Sequence, residues 1–592
     1  MDFSVDLSGF ILDSLIVIVA WLLLASSFHS WGRFVARILG ITYEAKLKHF
    51  NFVWMGFAFS IFFFAVYNLF WPINWFCSTL FYIPGLIVFI IKDAKSFISY
   101  IKSNCNLSLL AIVLTCFVAS TISIQLPMNF DTGLYHFNSI RWLNEFPIIK
   151  GIGNLHGRLG FNQFYFLYVA SLNFHPLFND FAYHVANSFL YALFCSEMIV
   201  SETFVDLILL ALFFFLPMPN FWIATPTPDI AVSLLQMIIF KNFIVAVSVE
   251  HCCERWKSIS FVALLSALII TIKLSSVFFV LGLLALVFIK KYPYNCSDLK
   301  IIKTTVVYLT LFIGLWFIRG YMQTGYPLFP SSIGRINFDW TVAKDITERT
   351  ERDVYVFAKL NNYDHKSPLL KDWAWFDPWL KESYFNIEQD FNEELPVNIS
   401  TALMLILFPM TMIYWGMGSL TLFCCSIIFI IIWLVAIIRR NELWRATNTF
   451  FGLTIIELIS IFLWFFIAPN PRFSNAIFNL LFVTSLLLLK KSYPSLKINK
   501  YIKNSFLFYS FFIFIWCFYI NFSNNEFRIG KMIVLKKIQM LDYITDSGLK
   551  LLYPINKSQC WDSDLPSTPE PDYRLELRGI SLEDGFRIKS NY

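Results

Sequence analysis

PMNFDTGLYHFNSIRWLNEFPIIKGIGNLHGRLG, residues 127–160, is the one polar, multiply charged interruption in an otherwise apolar first half of the chain. It follows the apolar run Leu107 to Leu126 and carries Asp131, His136, Arg141, Glu145, Lys150, His156 and Arg158 within 28 residues. A chain that only reverses direction at a membrane surface needs a handful of polar residues. An acid, two imidazoles and several cations at the end of an apolar run read instead as a site.

The surrounding composition says what kind of protein holds that stretch. Of 592 residues, 57% are apolar and 15% charged, with 67 Phe; mean hydropathy is +0.61. Soluble domains carry about 25% charged residues, so this is the composition of a polytopic membrane protein. Residues 1–9 are acidic rather than basic, and no small-residue cleavage site follows the first apolar run, so no cleaved signal is expected. A net charge of +6, with no basic cluster interleaved with aromatics, excludes nucleic acid as the expected partner. The eleven Cys are scattered, mostly in apolar runs, and show no CxxC or CxxH spacing. His136 and His156 stand 20 residues apart without a third ligand at helical spacing, so no metal site and no cofactor is expected. No GxSxG elbow marks a serine hydrolase.

A span needs about 20 apolar residues, fewer where helices are partly enclosed. Candidates lie near 10–28, 50–70, 76–91, 107–126, 181–200, 204–220, 229–249, 258–272, 274–289, 304–320, 419–438, 446–468, 473–490 and 504–522. The expected fold is therefore an all-α polytopic membrane protein of about 13–15 transmembrane helices, with a folded external loop and a small external C-terminal cap. Basic residues gather in 29–49, 92–104, 290–303, 439–445 and 490–503, which the positive-inside rule makes cytoplasmic. Residues 127–160, 221–228, the turn at Lys273, 321–397, 468–472 and 523–592 then face the other side. The phase holds only if 161–178 lies in the interface as a juxtamembrane helix. The apolar run 398–415 is either re-entrant or paired with 419–438. The chain thus divides into membrane helices 1–126, an external acidic loop with juxtamembrane helices 127–180, membrane helices 181–320, an aromatic-rich external loop 321–397, membrane helices 398–522 and a cap 523–592. In the cap, the alternation Tyr573, Leu575, Leu577 after a Pro-rich turn predicts a short strand.

This threading collects the unusual polar residues on one side: Asp131, Asp229 in TPTPD, Lys273 in TIKLSS, Arg319, and Arg472 in APNPRFSN. Each has a plain structural reading. Asp131 and Asp229 suit helix N-caps, Lys273 and Arg319 suit snorkelling, and Arg472 sits in a tight turn. Their shared side favours a joint role, in which a carboxylate accepts a proton while Arg and Lys neutralise a phosphate.

Those same residues resemble the GT-C superfamily, multi-spanning glycosyltransferases that use polyprenyl-phosphate-linked sugars. Asp131 in NFDTGLYH is similar to the superfamily's acid in an external loop, and Asp229 to the acid that opens a later span. TIKLSS resembles its T-K turn, TGYPLFP (324–330) its T-G-N-P element with Tyr326 in place of Asn, and PNPRF its Arg-aromatic turn at Arg472. The runs DTGLYH…GNLHGRLGFNQ, PRF and CWDSDLPSTPEPDYRLELRGISLEDGF also resemble, over essentially the whole chain, an uncharacterised bacterial membrane-protein family. The chain departs from the superfamily in having three spans before the acidic loop and a single Asp there.

The GT-C resemblance implies sugar transfer, with inversion, from a polyprenyl-phosphate donor to a glycan or lipid-linked acceptor. The setting would be a bacterial inner membrane, among membrane lipids, with the site facing the periplasm or outside. Asp131 would be the catalytic base. Arg158, Lys273 and Arg472 would hold the phosphate, Tyr326 with Trp373 and Trp375 would stack on sugar or isoprenoid, and Asp229, His136 and His156 would complete the substrate site. Two other readings fit the composition. One is an O-antigen or capsule polymerase working through Arg335, Arg349 and Arg352 of loop 321–397; the other is a lipid or glycan transporter.

Overall fold

The computed structural model describes residues 7–41, 48–103, 107–124, 127, 129–173, 183–201, 203–214, 222–249, 251–290, 292–360, 372–380, 417–439, 442–492, 538–555 and 558–589. The run 398–415, the candidate span 504–522 and residues 381–397 of the aromatic-rich loop lie outside the described residues.

Helices account for most of the fold. They are α1 (Leu7–Leu39), α2 (Lys48–Tyr67), α3 (Trp75–Val88), α4 (Ala94–Ser103), α5 (Leu107–Ser123), α6 (Phe137–Glu145), α7 (Tyr165–Ser171), α8 (Tyr183–Ser201) and α9 (Phe204–Phe214). The second half adds α10 (Pro228–Ser248), α11 (Cys252–Ile272), α12 (Val277–Lys290), α13 (Cys296–Thr324), α14 (Lys344–Lys359), α15 (Phe376–Leu380), α16 (Met417–Arg439), α17 (Glu442–Ile467) and α18 (Asn475–Ser492). Among the described residues, seven helices are long and apolar enough to cross a membrane, and three further apolar helices are shorter. The protein is an all-α polytopic membrane protein. Ten apolar helices are thus described, seven long enough to cross and three shorter, and the candidate span 504–522 lies outside the described residues.

Helix boundaries follow local chemistry. Thr227 caps α10, with Pro228 at its first position where a missing N–H costs nothing. Asn295 and Asp298 form a capping box at the start of α13, and Gly325 ends that helix at φ +79°. Helix α1 runs on through Arg33 and Arg37, which the sequence placed in a loop; Arg is a good helix former, and charge alone does not stop a helix. Helices α1 and α2 meet backbone to backbone at Gly32 and Gly56. A Cβ on Gly32 would fall 1.7 Å from the Phe52 carbonyl oxygen, so only glycine allows this approach.

The described part of the segment expected to lie in the interface, 161–173, carries a short enclosed helix instead. All seven residues of α7 are buried, the Tyr165 hydroxyl donates to Asn187 Oδ1 at 2.7 Å, and the Tyr168 hydroxyl donates to the Ala186 carbonyl at 3.3 Å. Its aromatic residues bury their rings in protein and satisfy their hydroxyls there.

Away from the loop 127–160, an ion triad ties α2, α8, α9 and α10 together. Lys241 Nζ lies 2.7 Å from Glu197 Oε1 and 3.2 Å from Asp206 Oδ1. Trp54 Nε1 donates to Glu197 Oε2 at 2.7 Å, and the Ser201 and Thr203 hydroxyls donate to Asp206. Lys241 is 4% exposed and both acids are fully enclosed.

The C-terminal cap contains the expected strand, Leu575–Leu577, within a second element of the same kind. Strands β1 (Met540–Ile544) and β2 (Lys550–Pro554) pair antiparallel, as do β3 (Leu575–Leu577) and β4 (Phe586–Ile588). The cap is bound to the loop 127–160 along its length. Trp561 N–H donates to the Gly133 carbonyl at 2.8 Å and Phe586 N–H to the Lys150 carbonyl at 2.9 Å. Asn138 Nδ2 donates to Ser567 Oγ at 2.6 Å, Thr568 Oγ1 to the Leu155 carbonyl at 3.0 Å, and Arg141 Nη2 to Asp564 Oδ1 at 2.8 Å.

Gly133 is one tight point of this contact, since a Cβ there would stand 2.6 Å from the Trp561 ring. Gly133→Ala is expected to destabilise the protein by about 1–3 kcal/mol through overpacking and to speed proteolytic release of the cap. A protease-resistant cap in that variant would contradict this packing.

Candidate functional site

Four separated pieces of chain meet where the polar loop begins. Asp131 stands at the start of a π turn, Thr132–His136, and its side chain makes no capping bond. Its backbone N–H donates to Asn129 Oδ1 at 2.8 Å, which leaves the carboxylate free to face two guanidiniums. Arg472 Nη1 donates to Oδ2 at 2.9 Å, and Arg158 Nη1 reaches Oδ1 at 3.5 Å. Arg472, 341 residues beyond Asp131, thus shares its carboxylate with Arg158.

A second pair stands beside the first. Asp229 lies in the first turn of α10, where Thr227 rather than Asp229 provides the cap. Its carboxylate pairs with Lys273. Lys273 has extended backbone between α11 and a 3-10 turn, so it ends one helix and aims its amine across the α10 start. The Phe473 ring joins the two pairs: Lys273 Nζ lies 3.8 Å and the Arg472 guanidinium 4.9 Å from its centroid. The Phe357 ring lies 5.4 Å from Arg472 on another side.

Three cations against two carboxylates leave a positive balance. Among the described residues Arg472 Nε is buried without a partner, although the same guanidinium pairs with Asp131. An excess cation and an unfilled N–H donor are what an oxyanion would satisfy. Burial by itself would raise the Asp131 carboxyl, but Arg472, Arg158 and His136 outweigh it and hold Asp131 down at about 2. Among the described residues, no group of three or more His, Cys, Asp or Glu side chains converges as metal ligands do.

His136 lines the same cluster. It is 1% exposed, its Nδ1 lies 3.4 Å from Thr132 Oγ1, and its ring packs 5.2 Å from Phe166 and 4.5 Å from Tyr135. Burial pushes it down to about 4, against the opposing pull of Asp131 and Asp229. His156 is also buried; burial, then Arg158 and Arg349, hold it at about 3.

Both folded values lie below the unfolded one, about 6.5, so the unfolded chain takes up these protons first. The stability contributed by the neutral rings is whole above that pH and is lost as pH falls toward about 4 for His136 and about 3 for His156. For His136 the loss is on the order of 3 kcal/mol. Thermal unfolding in detergent should therefore weaken steadily below about pH 6.5. A His136→Asn, His156→Asn double variant is expected to flatten that slope, and an unchanged slope would refute the assignment.

Tyr326 does not join the cluster as a stacking surface. It is 1% exposed, packs with Phe329, Val342 and Ile346, and donates its hydroxyl to the Val342 carbonyl at 3.3 Å. A ring so enclosed presents no face to a ligand. Trp375 is likewise buried, with Leu360 and Trp379, whereas Trp373 is 58% exposed and stacks on Trp375 at 5.9 Å. Arg319 is enclosed in α13 rather than snorkelling. Phe473, the aromatic of the PNPRF turn, and Tyr135 were not counted among the site residues, although each adjoins a residue that was, Arg472 and His136. Trp561 has no such neighbour in sequence, and only folding brings it to Gly133.

Residues 15–479 match a domain of unknown function, DUF8201. The chain belongs to the DUF8201 family. Asp131, Arg158, Asp229, Lys273 and Arg472 all fall inside the DUF8201 region, while the cap that holds their loop lies beyond it. No curated protein and no solved structure matches the chain.

Proposed function

We propose that this protein is a GT-C-like integral-membrane glycosyltransferase, moving a sugar from a polyprenyl-phosphate donor to a glycan or lipid-linked acceptor. The observation that carries the reading is the Asp131 carboxylate held between Arg158 and Arg472, beside the Lys273–Asp229 pair. Arg, Lys and an unfilled N–H suit the phosphate of the donor, and a carboxylate in their midst suits an acceptor hydroxyl.

The acceptor oxygen attacks the anomeric carbon and forms the new C–O bond. The bond from that carbon to the phosphate oxygen breaks, and its electron pair leaves on the polyprenyl phosphate. Asp131 takes the hydroxyl proton, and attack opposite the leaving group inverts the anomeric centre. With Arg472 and Arg158 both on Asp131, the carboxylate is a weak base. A phosphate that draws those guanidiniums to itself raises the basicity of Asp131, so donor binding readies the base. The site would face the outside of a bacterial inner membrane, because the basic helix ends Arg37, Lys290 and Lys490 lie at ends away from the site.

The test is transfer from single polyprenyl-phosphate sugars by the purified full-length chain in lipid nanodiscs. Product from one monosaccharide donor supports the proposal. A requirement for a preassembled repeat unit would point to a polymerase, and donor flux without a glycan product to a transporter; either result sinks the proposal.

A further inference from the structure

Asp131 is placed by its carboxylate and also by the peptide group that carries it. Its N–H and the Phe130 carbonyl belong to one rigid plane, so hydrogen bonds at both ends fix how that plane faces. At the N–H end the acceptor is Asn129 Oδ1, 2.8 Å away. At the carbonyl end the donor comes from the C-terminal cap: Gln559 Nε2 lies 2.7 Å from the Phe130 oxygen. Just beyond Asp131, the Gly133 carbonyl accepts from the Trp561 N–H at 2.8 Å. The cap thus grips the chain on either side of Asp131.

The gripping residues are themselves held. Trp561 Nε1 donates to Gln559 Oε1 at 3.1 Å. An indole N–H only donates, so it engages the amide oxygen and turns the amide NH2 toward Phe130. Trp561 stands at φ +49°, a left-handed backbone that bulky side chains rarely adopt. Such a conformation persists where surrounding contacts over-determine it, and these cluster at functional sites. Here the contacts are the bond to Gly133, the indole seated where a Gly133 Cβ would stand, and the Phe137 ring at 6.0 Å. Arg141 Nη1, from α6, holds the carbonyls that follow, those of Asp562 at 3.3 Å and Ser563 at 2.9 Å.

This grip matters most when the ion pairs let go. The Asp131 side chain makes no capping bond, so Arg158 and Arg472 are its tethers. A donor phosphate that draws both guanidiniums to itself leaves the carboxylate located by its backbone. We propose that Gln559 and Trp561 are positioning residues for Asp131: the cap pins the Phe130–Asp131 peptide so that the carboxylate keeps its aim at the acceptor hydroxyl. The inference rests on the glycosyltransferase reading for what the carboxylate does, and on the hydrogen bonds alone for what holds it.

The experiment compares the full-length wild type with Gln559→Met, which keeps the length of the side chain and removes its amide, and with Trp561→Phe, which keeps a ring at Gly133 and removes the indole N–H. Two properties are measured on each: hydrogen exchange over residues 129–136, read by mass spectrometry, and transfer kinetics from a prenyl-phosphate sugar. Gln559→Met is expected to speed exchange there several-fold, while α10 and α11 stay as in the wild type. Its kcat should fall about tenfold with the donor KM unchanged, since a reacting group displaced by about 1 Å loses on the order of 10²-fold in rate. Trp561→Phe should act in the same direction, about threefold in kcat, because it loosens Gln559 without removing it. Either variant serves if the other fails to fold. Unchanged exchange at 129–136 would overturn the proposal. So would faster exchange with kcat retained, or kcat and KM moving together, both of which mark a structural contact only. If the wild type transfers no sugar, the glycosyltransferase reading goes, and exchange by itself decides whether the cap holds Asp131.

Discussion

Asp131→Asn is expected to abolish sugar transfer while tightening the hold on phosphate. The variant keeps the shape of the side chain and removes its charge and its proton acceptor. Loss of a positioned general base costs on the order of 10²–10⁴ in rate. The same change frees Arg158 and Arg472 from their carboxylate, so the site gains a positive charge facing the phosphate. Binding of a short prenyl phosphate should strengthen about tenfold, roughly 1.4 kcal/mol. The opposite signs make the experiment informative: a variant that merely misfolds loses both properties. Titration with farnesyl phosphate and a transfer assay on the same preparation measure them together. Retained transfer would remove Asp131 as the base. Weaker phosphate binding would mean that Asp131 holds the two arginines in place for the ligand instead of competing with it.

Lys241→Met is expected to cost the most stability of any single change considered. It leaves Glu197 and Asp206 enclosed at 0% exposure without their cation. Breaking a buried ion pair by removing one partner costs about 3–5 kcal/mol, mainly for the charge left behind. In a chain of this size the thermal midpoint should drop by roughly 3 °C. The triple variant Lys241→Met, Glu197→Gln, Asp206→Asn removes all three charges and should regain most of the loss, because a buried network replaced by neutral groups of similar volume is nearly neutral. Thermal unfolding in one detergent decides it. A single variant that melts with the wild type would show that water reaches the acids. Asp229 precedes Lys241 by twelve residues on α10, about 18 Å along the helix axis, so the triad acts on stability apart from the Asp131 cluster.

How much was legible in the sequence differs from residue to residue. The helical membrane class followed from apolar runs and scarce charge, both local properties summed along the chain. Asp131, Asp229, Lys273 and Arg472 were identifiable because an ionisable residue at the end of an apolar run is costly and stands out against its neighbours. The caps expected of Asp131 and Asp229 were reasonable locally but lost to longer-range partners: Asn129 and Thr227 make the local bonds, and the carboxylates turn to cations elsewhere. Tyr326 shows the reverse error. A motif-like setting suggested an open ring, and tertiary packing enclosed it. Lys241 lay inside a candidate span and drew no notice, since its partners are 44 and 35 residues away in sequence.

By itself the sequence determined that the chain is a helical membrane protein and which ionisable groups sit at the ends of its helices. Those properties depend on hydropathy and on neighbours within a turn or two, and they survive any arrangement of the helices. Only the tertiary structure decided that Asp131 meets Arg158 and Arg472, that Phe473 lies against both Lys273 and Arg472, and that the cap grips Gly133 through Trp561. Such contacts join segments hundreds of residues apart. They depend on how helices pack and where the loop between α5 and α7 is pressed, and no local pattern encodes either.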